Sequence, residues 1–217
     1  MRKTLTTSAL AILLFTLLLG VAYPLLITGA AQVAFPGKAD GSQLERGGKV
    51  VGSSLLAQDF TRPVLDSNGK PKKDADGNPV TEPDPRYFQP RPSATGWNPS
   101  ATFFANRGPN QRATRDFHRQ QLDAYLGLER PYNPGLTAAD VPVDAVTDSA
   151  SGVDPHISEA NARIQTARIA TVRHLPLPRV RALVGRYTDG RSLGFFGEPG
   201  VNMTELNLAL DREAATP

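Results

Sequence analysis

The densest run of side chains able to do chemistry is Thr147-Asp-Ser-Ala-Ser-Gly-Val-Asp-Pro-His156. Ser149 or Ser151 could act there as a nucleophile, with His156 as the base and Asp154 orienting it, which is the arrangement of a hydrolase. The run lacks the Gly-x-Ser-x-Gly elbow that lifts a serine into the open. Its plainer reading is an Asx/Ser turn leading into a helix, with Asp154 and Ser158 bonding backbone amides. Other chemistries find fewer residues. Gly47-Gly48-Lys49-Val50 has neither the glycine spacing nor the hydroxyl of a phosphate loop. No Asp-Lys-Thr-Gly occurs, so the chain does not supply an aspartyl-phosphate nucleophile. His118, His156 and His174 stand 38 and 18 residues apart, which is no local metal-ligand spacing. Asp74-x-Asp76-Gly77 has the start of a calcium loop without its third carboxylate or closing Glu. Near the C-terminus, Asn202, Glu205 and Asn207 interrupt an apolar helix face, either as cap and surface residues or as a polar patch for a partner.

The elements that must position these residues follow from periodicity. Lys49 to Phe60 alternates aliphatic and small residues and predicts one or two short strands. Thr61 to Arg86 is rich in Pro, Gly, Asp and Lys and reads as a solvated loop, or at most a hairpin between the Asn68-Gly69 and Asp76-Gly77 turn signals. Tyr87 to Asn110 suits irregular structure pinned by Trp97, Phe103 and Phe104. A helix is predicted over Thr114 to Leu128, and an extended segment over Val141 to Val146. Ser158 is placed to cap a helix through His174, with Ala160, Ile164, Ala167 and Thr171 as a stripe that Ile169 and Val172 widen, and Arg163, Arg168 and Arg173 turned elsewhere. Pro178 starts another helix with Val180, Leu183, Val184 and Tyr187 inward. Ser192 to Phe196 reads as a strand, and Asn202 as the cap of a last helix through Leu210. No internal repeat is evident, and strands and helices without regular alternation indicate an α+β domain.

Ahead of all this stands a segment with no charge: Thr4 to Gly37, 34 residues. As one helix it is about 51 Å long, against about 30 Å of hydrocarbon in a bilayer. Residues 1–35 are therefore read as a retained membrane anchor, with a cleaved secretory signal as the rival, and residues 36–217 as one soluble domain. Tyr23 and Phe35 mark the far interface, and Pro24 falls late enough for a kink to be tolerated. The positive-inside count sets Arg2 and Lys3 against Lys38, Arg46 and Lys49 and does not decide, but Arg2 and Lys3 abut the apolar run directly, which favours a cytoplasmic N-terminus and an extracytoplasmic domain on a single-pass protein. Of the 24 Lys and Arg, 22 remain beyond the anchor against 21 Asp and Glu, so charge gives no case for a nucleic-acid partner. With no Cys, stability rests on a hydrophobic core.

Six ordered blocks make the chain resemble the C subunit of the Kdp-type potassium-transporting ATPase from end to end. They are Tyr23-Pro24-Leu25-Leu26, Gly52-Ser53-x-Leu55-Leu56-Ala57-Gln58-x-Phe60, Tyr87 to Ala94, Val141 to Asp144, Thr147 to Ser158, and Val201-Asn202 with Glu205 to Asp211. Two stretches depart from the family pattern: Pro63 to Pro85, which reads as an insertion, and Ser100 to Asn110, where the family's Ser-Gly-Gly-Ser-Asn run is missing. The resemblance implies a non-catalytic accessory subunit of an ATP-driven potassium import pump. Its partners would be a channel-like potassium-binding subunit, a P-type subunit that hydrolyses ATP, a small single-helix subunit, and membrane lipid. It further implies no prosthetic group or metal, ATP reached only through the hydrolysing subunit, and a catalytic-chaperone role that raises that subunit's ATP affinity. Ser149, Ser151 and Gly152 are the residues matching a stretch proposed to interact with nucleotide, while Tyr23, Pro24, Asn202, Glu205 and Asn207 are candidates for partner contact. An outer position would keep Ser149 to Gly152 from cytosolic ATP, so a scaffold or gate over the outer mouth of the channel-like subunit is the simpler role.

Overall fold

The computed structural model describes residues 2–214, in two compact units that divide between Ser53 and Ser54. In the first unit one apolar helix runs from Arg2 to Ala34, long enough to cross a membrane and with none of its apolar window buried in protein. It comprises α1 (Arg2–Leu17), a π-helical turn (Leu18–Ala22) and α2 (Tyr23–Ala34). The widened turn has a local cause. Pro24 has no N–H to donate, and its ring presses on the carbonyl one turn back, at Gly20. A π turn just before it moves the strain: the Tyr23 amide reaches five residues back to the Leu18 carbonyl. At the other end the Thr6 and Thr7 hydroxyls donate to the Arg2 and Lys3 carbonyls, so neither adds an unpaired polar group to the helix.

After a short helix, α3 (Pro36–Ala39), strands β1 (Gln43–Arg46) and β2 (Lys49–Ser53) form an antiparallel hairpin. Gly47 and Gly48, both at positive φ, make the two-residue turn such a hairpin needs. Only the first part of the strand expected from Lys49 to Phe60 is extended in a ladder; Ser54 to Phe60 is irregular.

In the second unit, residues 61–86 form a small finger rather than a loop. Strand β3 (Thr61–Pro63) pairs with β4 (Thr81–Pro83), and the chain between them folds back twice. The Val64 amide donates to the Val80 carbonyl, Val80 to Lys72 and Lys72 back to Val64, so three passes each bond to the other two. The ring of bonds rests on a repeat that the sequence reading missed: Asp66-Ser-Asn-Gly69-Lys-Pro71 recurs eight residues on as Asp74-Ala-Asp-Gly77-Asn-Pro79. Asp66 Oδ1 accepts from the Asn68 and Lys70 amides, and Asp74 Oδ1 from those of Asp76 and Asn78. Each Asp thus builds the same turn, and Gly69 and Gly77 supply its positive φ.

Four helices and a three-stranded sheet make the rest: α4 (Arg112–Glu129), β5 (His156–Ile157), α5 (Glu159–Val172), α6 (Leu177–Arg186), β6 (Thr188–Asp189), β7 (Gly200–Asn202) and α7 (Met203–Ala214). The sheet is antiparallel with β7 in the centre. Phe88, Ile157, Ile169, Val201, Leu206 and Leu210 lie at its heart, each at 2% exposure or less. Each such side chain contributes about 1.5–3 kcal/mol by leaving water. The α+β class read from the sequence is the class observed.

Three local readings are corrected. Val141 to Val146 is not extended but forms the second of two 3₁₀ turns, Ala138–Asp140 and Val143–Ala145, the first closed by a Thr137–Asp140 capping box. Ser192 to Phe196 is a tight turn, not a strand. In α5, Ala160 and Thr171 are exposed while Asn161, Gln165 and Arg168 are buried. Ile169 is buried as read, but much of that face is polar, which apolar periodicity does not mark. Arg168, fully buried, donates to Glu129 on α4, to Gln165 and to the Pro85 and Tyr87 carbonyls. Burial pushes the Glu129 carboxyl up, and the Arg168 charge opposes it.

Candidate functional site

The Ser149–His156 segment is laid against the 91–97 loop, and the hydroxyls of both face inward. Ser93 is the hub: its Oγ donates to the Gly152 carbonyl at 2.6 Å and accepts from the Thr95 and Trp97 amides. The Trp97 indole N–H donates to the Arg91 carbonyl. Ser149 is 2% exposed; its amide donates to the Pro92 carbonyl, and its Oγ accepts from the Gly152 amide and lies 3.2 Å from Ser151 Oγ. Gly152 sits at φ +74°, and a Cβ there would come within 2.7 Å of Thr95 Oγ1 and 3.0 Å of the Phe103 carbonyl. Beyond it the Val153 carbonyl accepts from Ala57, the Pro155 carbonyl accepts from Met203, and β5 begins. This stretch is where the loops, the sheet and α7 are joined.

His156 leaves the segment toward an open depression of about 320 Å³, lined in part by Arg91, Asp144, Asp154, Asp189 and Glu198. Its Nε2 lies 3.1 Å from Asp189 Oδ2 on β6, and its Nδ1 3.6 Å from Asp154 Oδ1. To reach β6 the ring passes over β7 at Gly200, where a Cβ would sit 3.4 Å from the ring. The Asp154 carboxylate and then Asp189 raise the His156 pKa, against the opposing effect of burial. Burial pushes Asp154 up, but its bonds from His156 and the Arg91 charge hold it below the ordinary carboxylate range. Both ring nitrogens thus face carboxylates and favour an imidazolium, the wrong state for a general base acting on Ser149 or Ser151. Asp144 is spent locally, accepting from the Ser158 amide and hydroxyl and from Asn161. Among the described residues no group of three or more His, Asp or Glu is placed to hold a metal ion.

The structure separates the other residues singled out in the sequence. Ser158 caps α5, accepting from the Asn161 amide, as its position predicts. Asn202 caps α7 through the Glu205 amide and donates to the Ser54 carbonyl, and it is buried. Asn207 is buried as well; its amide group pairs with both the N–H and C=O of Phe88. Gln165 does the same for Gln89, so two side-chain amides replace a strand ladder on either side of residues 88–89. Asn202 thus takes the cap reading and Asn207 an interior one, while Glu205 is half-buried, its pKa raised by burial and by Asp189 with His156 opposing. Tyr23 and Pro24 lie exposed on the long helix. Sequence reasoning missed Arg91, Asp189 and Gln165. Arg91 sits in an aperiodic Tyr-Phe-Gln-Pro-Arg-Pro run, and the other two act only through distant partners.

A family model described as "K+-transporting ATPase, c chain" matches residues 5–212. The chain is 45% identical to the potassium-transporting ATPase KdpC subunit of Methylococcus capsulatus over 93% of this chain and 94% of that one. It is 46% identical to the protein of that name from Polaromonas naphthalenivorans, over 97% and 95% of the two chains, and 43% identical to that of Rhodospirillum rubrum, over 97% and 96%. With the match running from the apolar N-terminal helix to the last helix, the chain belongs to the KdpC family of potassium-transporting ATPase subunits.

Proposed function

We propose that this chain is a non-catalytic accessory subunit of an ATP-driven potassium import pump, needed for the assembly and stability of the complex. The observation that carries the reading is the way the one catalytic-looking cluster is used. Ser149 Oγ is taken up by the Gly152 amide, and the His156 nitrogens face Asp189 and Asp154. These residues hold a domain together; motor chemistry is assigned to a P-type partner subunit, beside a channel-like potassium-binding subunit and a small single-helix one.

Orientation follows from Arg2 and Lys3 at the start of the helix: the N-terminus is cytoplasmic, the helix crosses the inner membrane once, and the domain lies outside. The helix packs among the partners' helices, with Tyr23 and Pro24 at that contact and Glu205 as a polar contact of the domain. A nucleotide cradle at Ser149, Ser151 and Gly152 fits this geometry poorly, since Ser149 and Gly152 bond one another and are buried. If the subunit raises ATP affinity, it acts through the conformation of its partner.

Deleting the gene in a strain lacking other potassium uptake is expected to abolish growth at micromolar potassium and to leave the remaining subunits unassembled. A Ser149→Ala/Ser151→Ala variant restores uptake once its folding is confirmed. Full high-affinity uptake without the chain overturns the reading.

A further inference from the structure

The turn between β6 and β7 carries three large apolar side chains in the open. Residues 191–197 close a knot in which the Ser192 amide donates to the Phe196 carbonyl, the Phe195 and Phe196 amides donate back to the Ser192 carbonyl, and the Gly194 amide donates to the Arg191 carbonyl. Leu193, Gly194 and Gly197 take positive φ, so the backbone is held in a conformation that costs free energy for Leu193. What the knot displays is apolar. Leu193 is 83% exposed, Phe195 65% and Phe196 58%, and the two rings lie 4.2 Å apart centre to centre. The knot is also firmly mounted: His156 pins β6 from across β7, and Asn202, the last residue of β7, caps α7.

Three features identify what such a knob fits. Its amides bond within the knot, so withdrawing it from water strands few donors. Its one cation, Arg191, is occupied by Glu198 Oε2 at 2.6 Å and by the Gly197 carbonyl, which leaves no free positive charge at the tip for anionic lipid headgroups. The backbone that carries its rings is closed by its own bonds before any contact, which lowers the ordering cost that a flexible loop brings to an interface. Exposed aromatic anchors on a rigid support are the usual centre of a protein–protein contact.

We propose that the Leu193-Gly194-Phe195-Phe196 knob is the anchor by which this domain docks into an uncharged, apolar socket on the extramembrane surface of another subunit of the same ATPase. The inference rests on the reading that the chain assembles with such subunits. A Leu193→Ser/Phe195→Ser/Phe196→Ser variant, expressed full length with the other pump subunits, is compared with wild type by affinity co-purification. The expected result is an unchanged thermal transition for the isolated full-length variant and at least about a tenfold loss of co-purifying subunits. A photo-crosslinking residue placed at Leu193 is expected to join the chain to one of those subunits. If wild-type chain co-purifies and the triple variant does so equally, the knob proposal is wrong while the accessory-subunit reading stands; if wild type brings down no other subunit, that reading itself fails. Crosslinking to lipid alone, or to a second copy of this chain alone, also overturns the proposal.

Discussion

Two loops flank the same small sheet and are built in opposite senses. Ser149–Gly152 leads toward β5 and turns its hydroxyls onto the chain's own Gly152 and Val153 amides, from which they accept. Residues 191–197 join β6 to β7 and turn leucine and phenylalanine outward. Composition suggests the reverse, with a polar serine loop at the surface and a Leu-Phe-Phe run as core filler. Each loop contains glycine at positive φ, so backbone freedom does not separate them. What separates them is the neighbourhood: Ser93, Thr95 and Pro92 close over the first, and among the described residues nothing covers the second.

The sharpest way to break the contrast is Gly152→Ala. A Cβ there meets Thr95 and the Phe103 carbonyl and forces a non-glycine residue to φ +74°, so we expect about 2–4 kcal/mol of destabilisation in denaturant unfolding of the full chain. An unchanged midpoint would show that the segment is not the tightly packed junction described. Ser149→Ala comes next. It leaves the buried Gly152 amide with the Ser149 carbonyl as its one remaining acceptor, for a loss of about 0.5–1.5 kcal/mol by the same measurement.

A smaller effect separates a charged His156 from a neutral base. Its folded-state pKa is raised, so the stability it adds is fully present below its unfolded pKa and is lost as pH rises through the folded value. Thermal transitions of wild type should therefore fall from near pH 6.5 upward relative to His156→Gln. The difference should be about 2 °C or less, because the ring is partly exposed and solvent screens the pair. The opposite slope would return His156 to the role of a neutral base. Smallest of all, Leu193→Ser alone should alter unfolding by less than about 0.5 kcal/mol, since the side chain is already in water. A larger loss would mean the knob supports the fold.

How much of this was legible in the residues depended on whether an element's signal was local. The uncharged helix, α4, the Ser158 cap, the Pro178 start and the Asn202 cap each announce themselves within a few positions, and each lies where the sequence puts it. The buried face of α5 did not, because Asn161, Gln165 and Arg168 are inside only by virtue of Tyr125, Gln89 and Glu129, residues 36 to 76 positions away. The same limit hid the site. His156 is defined by Asp189, 33 residues on, and by the small size of Gly200. The eight-residue repeat was local yet overlooked, since its two copies share turn-forming residues and no hydrophobic pattern.

That repeat makes the finger a removable cassette. Thr61 and Pro83 are paired partners at its base, so the chain enters and leaves at one point. Everything between them is closed by its own bonds among residues 64, 72 and 80. A lineage can thus lengthen, shorten or replace this stretch without asking the domain beneath to change. An experimenter can graft an epitope or fluorophore there by the same logic.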